Sequence, residues 1–330
     1  MPRPSPYRPF TPDPEQMARW PDISGNTING LGETDERPPS MVYWSPQLDD
    51  IPHAGAQHYF FMQSQKEPGF AIERAKRQKV LDAPLLEVAS EPQERSPYDW
   101  TTELDRFVDE GVCEMTGVAR MDPNWVYEGH RIEQSTVIML GVQHDYDEIK
   151  TAPKVSAGLE VMVQYGRAAA AAKAVASWIR ECGWDAEAVT GPMTGALSMI
   201  PPALACGFGE LGKHGSIINP ELGASFRLSA VLTDAPFATT KARTFGIDAF
   251  CQNCRICEDA CPPEALSPEK QTVRGVEKWY VNFDKCLPFF NQTHGCAICI
   301  AVCPWSRPNV GLNLAAKLER RAARQTETED

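Results

Sequence analysis

Eleven cysteines occur in the 330-residue chain, and eight of them lie within residues 251–303. The first four have the spacing C-x2-C-x2-C-x3-C-P, in the stretch "CQNCRICEDACP". The other four follow as C-x9-C-x2-C-x3-C-P, so the region is a degenerate duplicate. Three thiolates on one tight loop suit one side of an iron–sulfur cubane, and the fourth must arrive from another segment. The spacing therefore predicts two 4Fe–4S clusters.

The fourth cysteine of each run in a two-cluster ferredoxin binds the cluster of the other run. A structural zinc ribbon would instead need C-x2-C pairs separated by a longer spacer, which this triplet spacing does not provide. The three scattered cysteines are predicted to be small buried hydrophobic residues; they are Cys113, Cys182 and Cys206. The expected ligands are Cys251, Cys254, Cys257 and Cys303 for one cluster, and Cys286, Cys296, Cys299 and Cys261 for the second.

A glycine-rich stretch, "GFGELG" at residues 207–212, matches G-x-G-x-x-G. A dinucleotide site would need a strand before this motif, a helix after it and an acidic residue about twenty positions later. Here "MIPPALAC" precedes it and the turn-rich "KHGSIINPELG" follows, which disfavours that site. A loop whose backbone approaches a large planar or phosphorylated ligand is still compatible with the glycines.

The region before the cysteines has a mixed helix and strand pattern. "TTELDRFVDEG" predicts an amphipathic helix with a threonine start and a glycine stop, and "STVIMLGVQ" predicts a buried strand. An alanine-rich stretch predicts a long helix over residues 156–182. In "SFRLSAVLTD" apolar residues alternate with Arg227 and Ser229, which predicts a strand with two polar side chains on one face.

Composition divides the chain into four parts. Nine of the 28 prolines fall in the first 40 residues, which predicts an arm over residues 1–45 that is wrapped on the body or partly disordered. We expect a core over residues 46–245, a ferredoxin-like domain over 246–312 and a charged, frayed tail over 313–330.

The net charge of −12 argues against a non-specific nucleic-acid binder, because phosphate contacts need clustered lysine and arginine. No uncharged apolar run reaches the length of a membrane span. The first thirty residues show neither a secretory core nor a twin-arginine signal, so the cytoplasm is the expected location.

The order of "YGRAAAAAKAVASWIRECGW", "GFGELGKHGSIINPELGASFRLSAVLTDAPF" and the two cysteine runs resembles the corrinoid-dependent reductive dehalogenases, over residues 100–305. The resemblance implies an α+β fold with a nitroreductase-like cobalamin-binding core and a C-terminal bacterial ferredoxin-like domain. It also implies a base-off cobalamin and reductive removal of halide from an organohalide, a halogenated phenol or other aryl halide being favoured.

The family uses a tyrosine of the alanine-rich helix as proton donor beside a basic residue. Tyr165 occupies that helix position; Arg227 is the best match for the basic residue, and Lys213 is the alternative. An adjacent guanidinium favours a phenolate, and Arg227 could equally hold an anionic substrate. The resemblance places cobalamin contacts in the glycine-rich stretch, at Gly207, Gly209, Gly212, His214 and Gly215.

Two other functions share parts of this pattern. Epoxyqueuosine reductase shares the combination of a corrinoid with two clusters, but it acts on a tRNA base. A non-catalytic iron–sulfur electron carrier would need the cysteines and not Tyr165. Some soluble dehalogenases carry an appended reductase module that this sequence does not show, so an external low-potential donor, ferredoxin or flavodoxin, is implied.

Overall fold

The computed structural model describes residues 5–45, 50–191 and 194–329. The helices are α1 (Pro14–Met17), α2 (Gly25–Ile28), α3 (Ala54–Gln65), α4 (Pro68–Asp82), α5 (Pro97–Asp109), α6 (Tyr146–Ile149), α7 (Val155–Glu181), α8 (Ile200–Ala205), α9 (Ile247–Asn253), α10 (Ile256–Ala260), α11 (Phe283–Gln292), α12 (Ile298–Ala301) and α13 (Gly311–Glu329). The strands are β1 (Met115–Arg120), β2 (Thr136–Gln143), β3 (Ala186–Val189), β4 (Glu210–Leu211), β5 (Ile217–Ile218), β6 (Phe226–Thr233), β7 (Gln271–Val273) and β8 (Val276–Lys278). The expected boundary between residues 45 and 46 adjoins residues 46–49, which lie outside the described residues.

Four antiparallel strands in the order β1-β2-β6-β3 form the central sheet. β2 is a run of buried, largely β-branched and aliphatic residues, which suits a strand covered on both faces. β6 pairs with it so that Arg227 lies opposite Val142. Paired residues project to the same face of a sheet, so Arg227 shares its face with Val142, as the predicted alternation requires.

The long helix α7 covers that face of the sheet. Its small alanines, with Val175 and Ile179, are buried against β2 and β6, together with Trp100 and Leu104 of α5. The opposite face packs against α8 and the chain around Phe208. Because alanine lets a helix backbone approach a sheet closely, the alanine-rich segment predicted from the sequence becomes the central helix of the core.

The cysteine runs lie in a C-terminal unit of short helices and the β7–β8 hairpin. This unit packs directly on the core, since Ile218 and Ala224 share one apolar cluster with Trp279 and Trp305. The mixed α and β architecture with a separate C-terminal cysteine-rich unit confirms the predicted fold class.

The proline-rich N-terminal segment wraps around the C-terminal unit. The Gln16 side chain donates to the Pro288 carbonyl at 3.1 Å, and the Asp284 carboxylate accepts from the Gly25 N–H at 2.9 Å. The Arg8 Nε donates to the Cys261 carbonyl at 3.1 Å. These contacts connect the arm to both cysteine runs. The described residues 5–45 therefore lie against the body of the protein.

Two elements differ from the sequence prediction. α5 starts at Pro97 rather than at Thr101, because the Ser96 hydroxyl caps the helix by accepting from the Asp99 N–H at 3.2 Å. The tail expected to be frayed is helical over Gly311–Glu329, as its Ala, Leu, Glu, Lys and Arg content favours. Among the described residues, no helix combines the length and the apolar character that a membrane crossing requires.

Candidate active site and cluster-binding loops

Tyr165 and Arg227 are in direct contact between the central helix and the sheet. Tyr165 is a half-buried residue of α7, and Arg227 is the second residue of β6. The Arg227 Nη1 donates to the Tyr165 hydroxyl at 3.2 Å, and the guanidinium carbon lies 4.6 Å from the centre of the phenol ring. The structure therefore brings together the two residues that the sequence proposed as proton donor and basic partner.

His144 holds the other side of the Arg227 guanidinium. The β2–β6 ladder continues one pair beyond the strands, with the His144 N–H bonded to the Ser225 carbonyl at 3.1 Å. The Arg227 Nε donates to the His144 Nε2 at 3.2 Å, and the His144 Nδ1 lies 2.9 Å from the Ser225 hydroxyl. Burial, followed by the charge of Arg227, holds the pKa of His144 well below its ordinary value. His144 is therefore neutral, with its proton on Nδ1 and donated to Ser225.

A second guanidinium, that of Arg77 on α4, faces the same tyrosine. Its central carbon lies 5.7 Å from the centre of the Tyr165 ring. Burial lowers the pKa of Arg77, with Tyr165 opposing that shift, and the Arg77 Nε is enclosed without a hydrogen-bond partner. A side-chain carbon on Gly191, whose φ is +137°, would lie 3.7 Å from the Tyr165 ring and 3.8 Å from the Arg77 Nη2. Gly191 thus lies against both the phenol and the second guanidinium.

Lys213 lies away from the tyrosine, beside the first cysteine run. Its ammonium forms a buried ion pair with Glu258, donates to the Cys254 carbonyl at 3.1 Å and lies 4.9 Å from the centre of the Trp279 ring. Of the two basic residues considered for Tyr165, the structure brings Arg227 to the phenol and gives Lys213 a place at the cysteine loop.

In the first proposed set, Cys251 of the first run and Cys303 of the second share one buried apolar cluster. Burial, followed by the like charges of Cys303, Cys251 and Cys254, raises the pKa of Cys257 to about 12. Cys303 is likewise affected by Cys251 and Cys254. The charges of the two runs therefore act on each other at this position.

In the second proposed set Cys261 is buried, and Cys286, Cys296 and Cys299 are half-buried. Burial, followed by the charges of Cys296 and Cys261, raises the pKa of Cys286 to about 12. Burial also raises the pKa of Cys299, and the charges of Cys296, Cys286, Cys257 and Cys261 add to the shift, so thiols of both proposed sets act on Cys299. Cys296 adopts a left-handed backbone with φ of 51°, which bends the chain sharply at the ligand loop. The three scattered cysteines, 113, 182 and 206, are buried and reduced, as predicted.

Three glycines of the predicted cofactor loop are required by the packing of the chain itself. A side-chain carbon on Gly209, whose φ is +138°, would lie 2.0 Å from the Ile218 carbonyl oxygen. One on Gly207 would lie 2.7 Å from the Lys241 carbonyl oxygen, and one on Gly212 would meet the Ile218 side chain at 2.6 Å. The side of each glycine that could cradle a ligand is therefore filled by protein.

His214 and Gly215 behave differently. The His214 Nδ1 accepts from the Ser216 N–H at 3.2 Å, and burial lowers the pKa of His214 to about 4. The ring is thus neutral with its proton on Nε2, and that buried N–H has no acceptor among the described residues. A buried unpaired donor costs about 1–3 kcal/mol, so the position suits a bound group that presents an acceptor oxygen. Near Gly215 a side-chain carbon would meet only Val281, at 3.0 Å.

Sequence reasoning missed three residues of these sites. The position of His144 at the end of β2 could have been predicted, since it directly follows a predicted strand. Its pairing with Ser225 depends on the register of β2 and β6. No sequence pattern indicated Arg77, because only the packing of α4 on α7 brings it to Tyr165. Glu258 stands inside the first cysteine run, where an acidic side chain among buried thiols implies a buried cation nearby.

Comparisons with known proteins identify relatives of the chain and of its cysteine-rich region. Residues 250–306 match the model of the 4Fe-4S dicluster domain. The tetrachloroethene reductive dehalogenase of Dehalobacter restrictus is 32% identical over 238 residues, which are 68% of this chain and 42% of that protein. The epoxyqueuosine reductase of Staphylococcus aureus is 32% identical over 130 residues, which are 34% of this chain and 31% of that protein.

The solved structure of the catabolic reductive dehalogenase NpRdhA superposes with a TM-score of 0.71 at 21% identity, covering 89% of this chain and 46% of that one. This likeness establishes a shared fold. The chain spans less than half the length of the dehalogenases that it matches. By the long sequence match, the shared fold and the dicluster domain, the chain belongs to the reductive dehalogenase family.

Proposed function

We propose that the chain carries the catalytic core of a corrinoid-dependent reductive dehalogenase. It would remove halide from an organohalide, a halogenated phenol or other aryl halide, with electrons relayed through two 4Fe–4S clusters. The observation that carries the proposal is the 3.2 Å contact between the Arg227 Nη1 and the Tyr165 hydroxyl. An electron carrier has no use for a phenol held by a guanidinium.

Tyr165 would hold the proton that replaces the halide on carbon. The guanidinium of Arg227 would orient the phenol and stabilise the negative charge left on its oxygen when the proton moves. Arg227 is itself fixed by neutral His144, so it can keep one orientation during turnover. Replacement of halide by hydrogen consumes two electrons and one proton, and the chain supplies the groups for both.

When bound, a base-off cobalamin would supply the low-potential cobalt chemistry that breaks the carbon–halogen bond. His214, through its unpaired Nε2–H, and Gly215 are the residues that we propose to contact it. The glycines Gly207, Gly209 and Gly212 would shape the loop that presents them.

For the clusters we propose the interlocked ligands, with Cys303 completing the first set and Cys261 the second. The shared apolar cluster of Cys251 and Cys303 supports the first assignment, and the effect of the Cys261 charge on Cys286 supports the second. A low-potential one-electron donor, ferredoxin or flavodoxin, would feed them, and a thiol-rich metal protein of this kind suits the reducing cytoplasm. The acidic net charge of −12 supports a small-molecule substrate rather than a nucleic acid.

The test uses protein purified without air after expression with cobalamin. We expect about eight iron atoms per chain from two cubanes, one cobalt, and halide release from a halophenol with reduced methyl viologen as donor. Tyr165→Phe should abolish halide release and retain both metals. Tyr98→Phe, at a tyrosine that is 80% exposed, is the matched control. Iron without bound cobalt and without halide release would leave an electron carrier instead, whereas full halide release by Tyr165→Phe would reject Tyr165 as the proton donor.

A further inference from the structure

Two segments at the C-terminal unit are basic, although the chain as a whole is acidic. The chain has 44 acidic and 32 basic residues, yet residues 306–324 contain five basic residues and one acidic residue. Residues 235–247 add two basic residues and no acidic one. We call four exposed side chains of these segments the basic face: Arg243, Lys317, Arg320 and Arg321. Within the described parts of the chain, none of the four forms an ion pair with a carboxylate.

Packing contacts place Arg243 beside the helix α13. The Arg243 guanidinium carbon lies 5.1 Å from the centre of the Phe245 ring. Phe245 and Leu318 of α13 pack against the same apolar cluster, and a side-chain carbon on Gly246 would lie 3.4 Å from the Leu318 Cβ. Arg243 is therefore held next to the middle of α13.

The other three cations lie on one flank of the same helix. With 3.6 residues in each turn, Lys317, Arg320 and Arg321 project within a sector of about 100°. Lys317 and Arg321 border Leu318, which points into the protein. Glu319, the acidic residue of this segment, follows Lys317 by two positions and so projects to a different side of the helix. The charges of the basic face are thus not cancelled by it.

The helix that carries these cations covers the first set of cysteines. Its residues Leu314, Ala315 and Leu318 pack against the apolar cluster that contains Cys251 and Cys303. An α-helix with its side chains is about 10–12 Å wide, so the basic face lies about one helix width from these thiols. The first cluster is therefore the one that a protein bound at the basic face would approach.

The second set of cysteines lies towards the reaction site instead. A side-chain carbon on Gly158 of α7 would lie 2.8 Å from the His294 carbonyl oxygen, and His294 stands two positions before Cys296. The loop of the second run thus packs on the helix that carries Tyr165. Electrons that enter beneath α13 would reach the first set, then the second, and then the site at Tyr165.

We propose that the basic face is the docking surface of an acidic ferredoxin, which delivers single electrons to the first cluster. The inference rests on the proposed function and deepens it, since it gives the electron donor a place on this chain. The net charge of −12 repels an acidic protein from most of the surface, so attraction at one basic face steers and orients the encounter. Interfaces of electron-transfer partners are small, and a patch of a few cations beside one helix is sufficient for them.

Charge alone would also attract a nucleic acid, but the apolar side chains of this surface favour a protein. Single-strand binders combine a basic groove with aromatic side chains on which bases stack. The exposed large apolar side chain in the described part of α13 is the aliphatic Leu312, which is 55% exposed. A ferredoxin also has iron–sulfur clusters of the low potential that the proposed chemistry requires.

The test measures electron transfer into the metal-loaded protein from a reduced plant-type ferredoxin, whose 2Fe–2S EPR signal differs from that of 4Fe–4S clusters. Freeze-quench EPR gives the second-order rate constant. It should fall by about tenfold or more between about 0.05 M and about 0.3 M salt, because salt screens exposed charges. The triple variant Lys317→Gln, Arg320→Gln and Arg321→Gln should lower it by about tenfold at the lower salt concentration.

Two controls accompany the triple variant. Arg106→Gln removes an exposed cation from α5 of the core, and it should leave the rate constant at the value of the parent. Reduced methyl viologen, a small cationic donor, should reduce the triple variant at least as fast as the parent. This second control shows that the clusters of the variant are intact.

A rate constant that is independent of salt, or equal in the parent and the triple variant, would overturn the docking surface. So would reduction by a flavodoxin but not by the ferredoxin. Tighter binding of an RNA stem-loop than of ferredoxin, lost in the triple variant, would assign the basic face to nucleic acid instead.

Halide release from the same preparations separates this inference from the proposed function. Halide release with methyl viologen, together with ferredoxin reduction that ignores the triple variant, would retain the dehalogenase and reject the docking surface. Ferredoxin reduction that depends on the basic face, without halide release from any organohalide, would retain the docking surface and reject the dehalogenase.

Discussion

Arg227 donates from its Nε to the Nε2 of His144 at 3.2 Å, while its Nη1 donates to Tyr165 at the same distance. Two hydrogen bonds on different nitrogens fix both the position and the plane of the guanidinium. The bond to His144 exists only while the imidazole is neutral, since a protonated ring has no lone pair for an N–H donor. The low pKa of His144, caused by burial and then by Arg227, preserves that state at neutral pH.

His144→Leu should therefore release Arg227 without touching Tyr165. The loss of the acceptor leaves the Arg227 Nε unpaired and should lower the free energy of unfolding by about 1–3 kcal/mol. We expect halide release to fall by about tenfold or more. A misplaced guanidinium should raise the activation free energy by at least RT ln 10, which corresponds to a tenfold lower rate. Urea unfolding and initial rates on the same preparations provide the two measurements.

His144→Gln is the matched variant, since its amide oxygen can take the place of the imidazole Nε2 as acceptor. It should recover most of the rate lost in His144→Leu. If both variants lose the same rate, His144 acts through its bulk and not by positioning Arg227.

The interlocked cluster ligands predict which cysteine substitutions will be redundant. Cys251→Ala should cost one cluster, so that iron falls from about eight to about four per chain. Adding Cys303→Ala should remove no further iron, because both thiols belong to the same set. Adding Cys261→Ala instead should take iron towards zero, because we propose Cys261 as a ligand of the second cluster, with Cys286 and Cys296. Iron analysis after anaerobic purification is the readout.

The opposite result identifies the opposite wiring. If Cys251→Ala with Cys261→Ala retains four irons while the pair with Cys303→Ala loses all, each run binds its own cluster. Cys113→Ala, at a buried thiol outside both sets, controls for general loss of packing.

The Tyr165–Arg227 contact could be foreseen through the family resemblance, which implies a helix tyrosine beside a basic residue, and the secondary structure then explains how the two meet. Strand alternation puts Arg227 on the face that α7 covers, and the helix carries Tyr165 across it. The register of β2 against β6, which brings His144 to Ser225, is set by the packed sheet and is not visible in either strand alone. Arg77 depends on the docking of α4, a wholly tertiary event.

The glycines of the glycine-rich stretch are required for a different reason from the one that the sequence suggested. The sequence suggested that Gly207 and Gly209 make room for a ligand, whereas the structure fills those positions with the carbonyl oxygens of Lys241 and Ile218. A requirement for glycine is visible from sequence, but the atom that imposes it is not. Lys213 is similar, since its charge was evident and its partner Glu258 lies 45 positions away.

The buried pair of Lys213 and Glu258 should set the potential of the first cluster. Lys213 also lowers the pKa of Cys251 and Cys257, after larger opposing effects of burial, so its charge is felt at the ligands. Lys213→Met would leave the Glu258 carboxylate beside the cluster and disfavour an added electron, which makes the potential more negative. A redox titration followed by EPR measures the shift.

The double variant Lys213→Met with Glu258→Gln removes both charges and should return the potential close to that of the parent. It also restores neutrality to the buried site, where a single unpaired charge costs about 3–5 kcal/mol of stability. An equal shift in the single and double variants would mean that packing around Trp279, rather than charge, sets the potential.

His214 should make the fold sensitive to mild acid. Burial lowers its pKa from 6.5 to about 4, so the unfolded chain takes up this proton first as the pH falls. The stability contributed by the neutral ring is complete above pH 6.5 and is lost progressively down to pH 4, which amounts to about 1 kcal/mol by pH 5.5.

His214→Asn keeps an acceptor for the Ser216 N–H and removes the titration. Anaerobic urea unfolding at pH 7.5 and 5.5 should show a loss smaller by that amount in the variant, whereas His130→Asn, at an exposed histidine, should behave as the parent. An equal loss in parent and His214→Asn would mean that the buried ring is already protonated on both nitrogens near neutral pH. The Nε2–H would then no longer indicate a ligand-binding position.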